Sequence, residues 1–547
     1  MKKFIQNHPI LCAIAFITLC LLPALTSRDF TYMNELRYLE ITDEALSKGE
    51  IFALTNNGLP YADKPPLYFW LMMLCKTIAG EHSILLLSLL AFIPAMVTIF
   101  IMDRWLLAAA KESGKIIRPL TRIATALILA STGIYLGTGV FIRMDQMMVM
   151  FIVLSLFAFY RMFTGTGHTK LQSWLFPFWI FMALFTKGPV GLLAPLVSVL
   201  CFLIVTRNCK QIGRYLGFKT FGVILALSAI WFGGVLIESG PDYLYDLTIH
   251  QTFGRAVNAF HHKMPFYFYL YAIIPITLPY VFFTLPAAIG GFFKKKDEPQ
   301  RTVTETFFLC IIASTFVMLS LFSSKLPIYL LPIIPFIVYL GPIVIMRKGL
   351  KKWMRNCVVG TLLLLIAISG AGAYAVKHID SLTFLHEILL QYPFIAYNMT
   401  FYACLILLAG NILALATIVT GKSYSRALTY MACGVLMCVY AFTFQMNSIN
   451  PYIGYGELCS KVPEGTTVNT LYLNRPENMS VYLGREIVDY KKDTRSFLDE
   501  MQKDSADSNN VLLVNTVRYL SDTQLSDYVK SHGKSVTISG PFSIILF

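Results

Sequence analysis

The chain has 547 residues, of which 56% are hydrophobic and only 14% charged, and its mean hydropathy is +0.61. That composition excludes a soluble globular domain, because repeated apolar stretches of about 17–25 residues mark membrane helices. The formal net charge of +14 does not point to nucleic acid, because the basic residues fall in alternate loops, as the positive-inside rule expects of a polytopic membrane protein.

A window of about 19 residues gives about thirteen spans, near 8–26, 83–102, 119–138, 146–164, 173–190, 191–206, 217–237, 266–291, 304–323, 327–346, 356–376, 396–417 and 427–446. Lys2 and Lys3 precede the first. Arg104, Lys111, Lys115 and Arg118 follow the second, and Arg207, Lys210 and Arg214 the sixth. "KKKDEPQR" follows the eighth and "RKGLKKWMR" the tenth. The N-terminus is therefore expected in the cytoplasm, and an odd number of spans places the C-terminus outside. No small-x-small cleavage site precedes Arg28, so the first apolar run is expected to stay as an anchor. Most of the eleven cysteines lie within spans or at their ends, and no CxxC metal site or disulfide framework is expected.

Between the first two spans lies an external segment, residues 27–82, too long for a simple connector. "NELRYLEITDEALSKG" predicts a helix with Asn34 at its start and Gly49 after its end. "YADKPPLYFWLMMLCKTIAG" predicts a second, apolar helix opened by prolines and lying along the membrane interface. Beyond residue 446 hydrophobicity drops. "TTVNTLYL", "REIVDY", "NNVLLVNT" and "KSVTISG" read as strands and "TRSFLDEMQK" and "SDTQLSDYVKSHG" as helices, predicting an external α/β domain over 447–547 that follows a membrane domain over 1–446.

The unusual polar residues share the outer side: Glu35, Arg37, Asp63, Lys64, Arg143, Asp145, Lys187, Lys325, and Arg255, His261 and His262 in "HQTFGRAVNAFHHK". Ionisable groups at membrane depth are costly and so mark function or an aqueous cavity. Singly they have plainer uses. Arg37, Lys187 and Lys325 fit cations that snorkel to lipid phosphates, Asn34 a helix cap, and Tyr329 an interfacial aromatic. Glu40, Asp43, Glu44 and Lys48 fit a solvated helix face. His261 and His262, being adjacent, cannot both face one metal. Together the cations suit a lipid-linked phosphate, with Arg as a bidentate fork and Lys as a point charge. The carboxylates can then act as a general base or hold a divalent ion; which metal, if any, stays open.

"NELRYLEITDEALSKGE", "NNGLPYADKPPLYFW", "RMDQMMVMF", "LFTKGPVGLLAPL", "GRAVNAFHHKMPFYFYL" and "SSKLPIYLLPIIPF" together resemble, in order and spacing, the bacterial lipid A aminoarabinose transferases and, more distantly, the protein O-mannosyltransferases, all of the GT-C superfamily. The resemblance implies an inverting transfer of a sugar from undecaprenyl phosphate to lipid A or another envelope acceptor, on the periplasmic face of the bacterial inner membrane. It assigns Arg37 and Lys64 to the polyprenyl phosphate with Tyr329, and Asp145 and Glu35 to the family's acidic positions. Asn34 stands where the family has the first acid of an Asp-Glu pair, and an amide can neither take a proton nor bring charge to a cation. An acceptor phosphate is already ionised and needs no base, so Asn34 tilts the expected acceptor towards phosphate. A GT-C transferase acting on protein or other glycans is the nearer alternative. A flippase of lipid-linked sugar is the remoter one, since such transporters place charges near the midplane.

Overall fold

The computed structural model describes residues 2–249, 263–294, 296–382, 386–503 and 509–547. Among them, nine helices are long and apolar enough to cross a membrane, and a tenth span results if Pro119–Ser131 and Gly133–Val140 are counted as one. The protein is a multi-pass helical membrane protein.

The expected count of thirteen is not reached by this measure, although every predicted segment is helical. The segments 173–190 and 191–206 form Thr169–Lys187, which carries Lys170, Gln172 and Lys187, and Pro189–Val205, which has 17 residues. The segment 266–291 divides into Phe268–Ile276 and Val281–Phe292, where Pro275 and Pro279 remove two backbone donors. The segment 119–138 bends by 70° after Ser131. There Thr132 is extended, and the Gly133 N–H leaves the helix to donate to the Leu278 carbonyl at 2.8 Å.

Charges buried among the helices are paired, as a low-dielectric setting demands. Arg122 grips Asp103 through two bonds of 2.8 and 2.6 Å. Arg347 joins Glu305 at 2.8 Å and Glu298 at 2.9 Å. These pairs lie towards the far ends of the helices that begin near Ser83 and Pro327, and the near ends are left to the candidate site.

Outside the spans, β1 (Thr55–Asn56) and β2 (Leu59–Pro60) form a small hairpin. Its turn is Asn57-Gly58, both at positive φ, which the twist of a two-residue hairpin requires. The C-terminal α/β domain carries a five-stranded sheet from β3 (Thr467–Leu471), β4 (Ile487–Asp489), β5 (Asn510–Asn515), β6 (Ser535–Ser539) and β7 (Phe542–Leu546), in the order β4-β3-β5-β7-β6. β3 pairs in parallel with β4 and β5, and β7 runs antiparallel to β5 and β6. Strand β7 was not among the expected strands.

This domain docks on the residues that leave the first span. Asp29 accepts from the Gly456 N–H at 2.7 Å and the Tyr482 hydroxyl at 2.6 Å, and its own N–H donates to Asn450 at 2.9 Å. A Cβ at residue 454 would stand 2.2 Å from the Asp29 carboxylate, so only glycine permits the approach. Tyr32 stacks on Tyr455 at 5.1 Å.

Candidate active site

The helix Glu35–Lys48 roofs one end of the spans. Leu36, Tyr38, Leu39, Ile41, Thr42 and Ala45 recur at helical spacing and are buried, and Gly49 closes the helix in the left-handed conformation. Asn34 occupies the N-cap position, but its side chain makes no capping bond; its Oδ1 accepts from Arg37 Nη2 at 3.5 Å. The outer face is not simply solvated. Glu40 accepts from Ser480 of the C-terminal domain at 2.6 Å, Glu44 from the Gly58 N–H at 2.8 Å, and Asp43 pairs with Lys76 and with His82 at 2.7 Å.

Glu35 is fully occupied by structure. Its two oxygens take Arg28 Nη1 at 2.6 Å and Nη2 at 2.8 Å, the Thr31 N–H at 2.8 Å and the Ile142 N–H at 2.5 Å. Arg28 also donates to Ser88 and to the Val140 carbonyl. The pair thus ties the end of the first span to the roof helix and to the loop before Asp145. Sequence reasoning missed Arg28, whose signal was a cation on the side where the positive-inside rule expects few.

Asp145 opens the helix Asp145–Phe163 and is 2% exposed. Lys187, at the end of Thr169–Lys187, pairs with its Oδ1, and Arg143 Nε donates to Oδ2 at 3.2 Å. The Lys187 ammonium lies 5.5 Å from the centre of the Tyr329 ring. Asp145, Lys187, Arg143 and Tyr329 therefore meet, although they span nearly 190 positions. Two cations around one buried carboxylate leave a net positive centre at this end of the spans.

Tyr38 connects this centre to the roof. It is buried, and its hydroxyl feels Arg143, Asp145, Arg37 and Asp63 at once; burial raises its pKa. The Arg37 guanidinium stands 5.8 Å from the Tyr38 ring and 5.6 Å from the Tyr61 ring, so Arg37 faces the same space. Asp63 and Lys64 are half-buried in the turn that precedes the short apolar helix Leu67–Ala79. Tyr68 on that helix is fully buried with its hydroxyl unpartnered among the described residues. Lys325 is brought near but turned away: it donates to the Met264 carbonyl at 3.0 Å and to that of Phe322, closing the end of the helix Val303–Leu321. Arg255, His261 and His262 lie outside the described residues. Among the described residues no group of three His, Cys, Asp or Glu side chains is placed to hold a metal. Glu35 and Asp145 each already face a cation.

Comparison with known proteins agrees with this geometry. The family profile of the dolichyl-phosphate-mannose-protein mannosyltransferases matches residues 9–236. Over 97% of both chains the structure superposes on the crystal structure of ArnT from Cupriavidus metallidurans bound to undecaprenyl phosphate, with a TM-score of 0.71 at 16% identity. The fold is that of ArnT. By sequence, the chain resembles two undecaprenyl phosphate-alpha-4-amino-4-deoxy-L-arabinose arabinosyl transferases. The one from Pseudomonas fluorescens is 27% identical over 62% of this chain and 57% of its own length. That from Pectobacterium atrosepticum is 25% identical over 68% of this chain and 66% of its own length. The chain thus matches between half and two thirds of these relatives. It resembles GT-C glycosyltransferases of the ArnT kind.

Proposed function

We propose that this protein transfers a sugar, aminoarabinose or a related one, from undecaprenyl phosphate to a phosphate of lipid A, at the periplasmic face of the bacterial inner membrane. The N-terminus lies in the cytoplasm and the C-terminal domain in the periplasm. The observation that carries the reading is Asp145, buried between Lys187 and Arg143 beneath the roof helix, with Tyr38 feeling both it and Arg37. The ArnT-like fold and the aminoarabinose transferase relatives support the same class of donor.

The reaction is a single displacement with inversion. The prenyl tail lies among the spans, with its phosphate against Arg37, Lys64 and Lys187. As the bond from the sugar carbon to the phosphate oxygen breaks, negative charge grows on the leaving phosphate, and cations already fixed in place stabilise it without reorganisation. Asp145 keeps Lys187 and Arg143 oriented, and an oxygen of the acceptor phosphate forms the new bond to the sugar carbon on the face opposite the leaving phosphate. A phosphate acceptor arrives ionised, so the amide at Asn34 costs nothing there. A divalent ion fits Glu35 and Asp145 poorly, since each is held by a cation, and no step runs through one.

The test is deletion of the gene with mass spectrometry of the envelope lipids, restoring wild type or Asp145→Ala in parallel. Loss of one sugar-sized mass from lipid A, restored by wild type alone, is the expected result. Unchanged lipid A would move the acceptor to protein or another glycan, a reading favoured by the mannosyltransferase profile. Full restoration by Asp145→Ala would remove Asp145 from the mechanism.

A further inference from the structure

We propose that Arg475, carried by the C-terminal α/β domain, binds the acceptor's phosphate beside Arg37, so that this domain supplies part of the active site. The proposal rests on the transfer reading above and adds where the acceptor's charge is held.

Arg475 is held in an unusual place. Its backbone is left-handed, φ 54° and ψ 51°, which an L side chain rarely adopts and which persists only where the surroundings enforce it. Its Nη1 donates to the Met33 carbonyl at 2.8 Å, at the start of the roof helix. One residue on, Asn34 Oδ1 takes a long bond from Arg37 at 3.5 Å, and among the described residues Arg37 has no other hydrogen-bond partner and its buried Nε no acceptor. Two guanidiniums thus meet at one edge of the roof, and burial together with the neighbouring Arg37 pulls the pKa of Arg475 down. Among the described residues the acid that acts on Arg475 is Glu477, which is exposed.

Like charges are costly to hold together unless an anion comes between them, and a phosphate monoester offers three oxygens to two forks. Asn34 matters here. An acid at that position would sit against Arg37 and cancel the charge that the amide leaves open. The placement is also firm, since Ser480, five residues on, donates to Glu40 of the roof helix and Tyr482 to Asp29. Arg475 reaches the site from outside the membrane, whereas Lys64 borders the interfacial helix where a prenyl phosphate arrives. That separation assigns the acceptor to Arg475.

The experiment uses the full-length protein in detergent micelles, with one glycolipid acceptor prepared with and without its phosphate monoester. Arg475→Gln and Arg475→Lys are compared with wild type for transfer kinetics, and undecaprenyl phosphate affinity is measured separately. Arg475→Gln should raise the KM for the phosphorylated acceptor at least tenfold with kcat within twofold. Undecaprenyl phosphate affinity should not change, and Arg475→Lys should recover part of the loss. A fall in undecaprenyl phosphate affinity, or an unchanged acceptor KM in both variants, overturns the proposal. So does a wild type that transfers equally to both acceptors. Wild type that binds undecaprenyl phosphate yet transfers to neither acceptor would instead bring down the transfer reading, and this proposal with it.

Discussion

Glu35→Ala separates a structural carboxylate from a catalytic one. Both side chains of the Arg28–Glu35 pair are at most 2% exposed, and each carboxylate oxygen takes one guanidinium N–H and one backbone N–H. Removing the carboxylate leaves Arg28 charged and uncompensated, and breaking a buried pair in this way costs about 3–5 kcal/mol. Glu35→Gln keeps the volume but turns an amide N–H₂ towards two donors, each unmet donor costing about 1–3 kcal/mol. The assay is unfolding in mixed micelles, with Arg28→Ala and the double variant completing a cycle. The double variant should cost less than the sum of the singles by about 2 kcal/mol or more, as expected of residues in contact. Wild-type stability in Glu35→Ala and Glu35→Gln, together with lost transfer, would refute the reasoning and make Glu35 part of the chemistry.

Asn34→Asp should leave kcat within about twofold of wild type, since a phosphate acceptor needs no base, while raising the acceptor KM because the new carboxylate draws on Arg37; a large gain in kcat would count against a phosphate acceptor. Asp43 gives a pH signature. Burial pushes its pKa up, but His82 and Lys76 outweigh this and hold it below the ordinary carboxylate value. Its contribution to stability is then complete above about pH 4 and lost as pH falls through the lower folded value, and Asp43→Asn should flatten that loss in melting curves taken from pH 5 to pH 3. Gly454→Ala should undock the C-terminal domain, read as faster proteolytic release of that domain with the membrane domain intact. Chelation by EDTA should leave transfer unchanged; a loss restored by magnesium or manganese would show that a metal acts at these carboxylates.

What the sequence could show was whatever repeats or stands out locally. Apolar runs gave the helices, and charges at their ends gave Asp145, Lys187 and Arg37, because an ion beside lipid is conspicuous wherever it falls. The break after Ser131 was hidden because it contains no proline; its cause is the Leu278 carbonyl, over 140 residues away, which takes the Gly133 N–H. The Arg28–Glu35 pair closes over a turn with no periodic signature. Lys325 looked like the other cations, and only its position relative to the Met264 and Phe322 carbonyls distinguishes it. Arg475 lay in a stretch with neither helical nor strand pattern, and its value depends on a roof helix that begins 440 positions earlier.

The contacts of Asp29 also set an order of events. Asp29 follows the first span directly, yet its partners are Asn450, Gly456 and Tyr482, which a ribosome supplies only after every span has been made. Domains fold as they emerge, so the membrane helices can insert and pack while the roof still lacks its outer support. The roof is completed when the α/β domain has folded and closed on it. A chain stopped near residue 446 would then keep its helices but leave Asp29 without its partners Asn450, Gly456 and Tyr482.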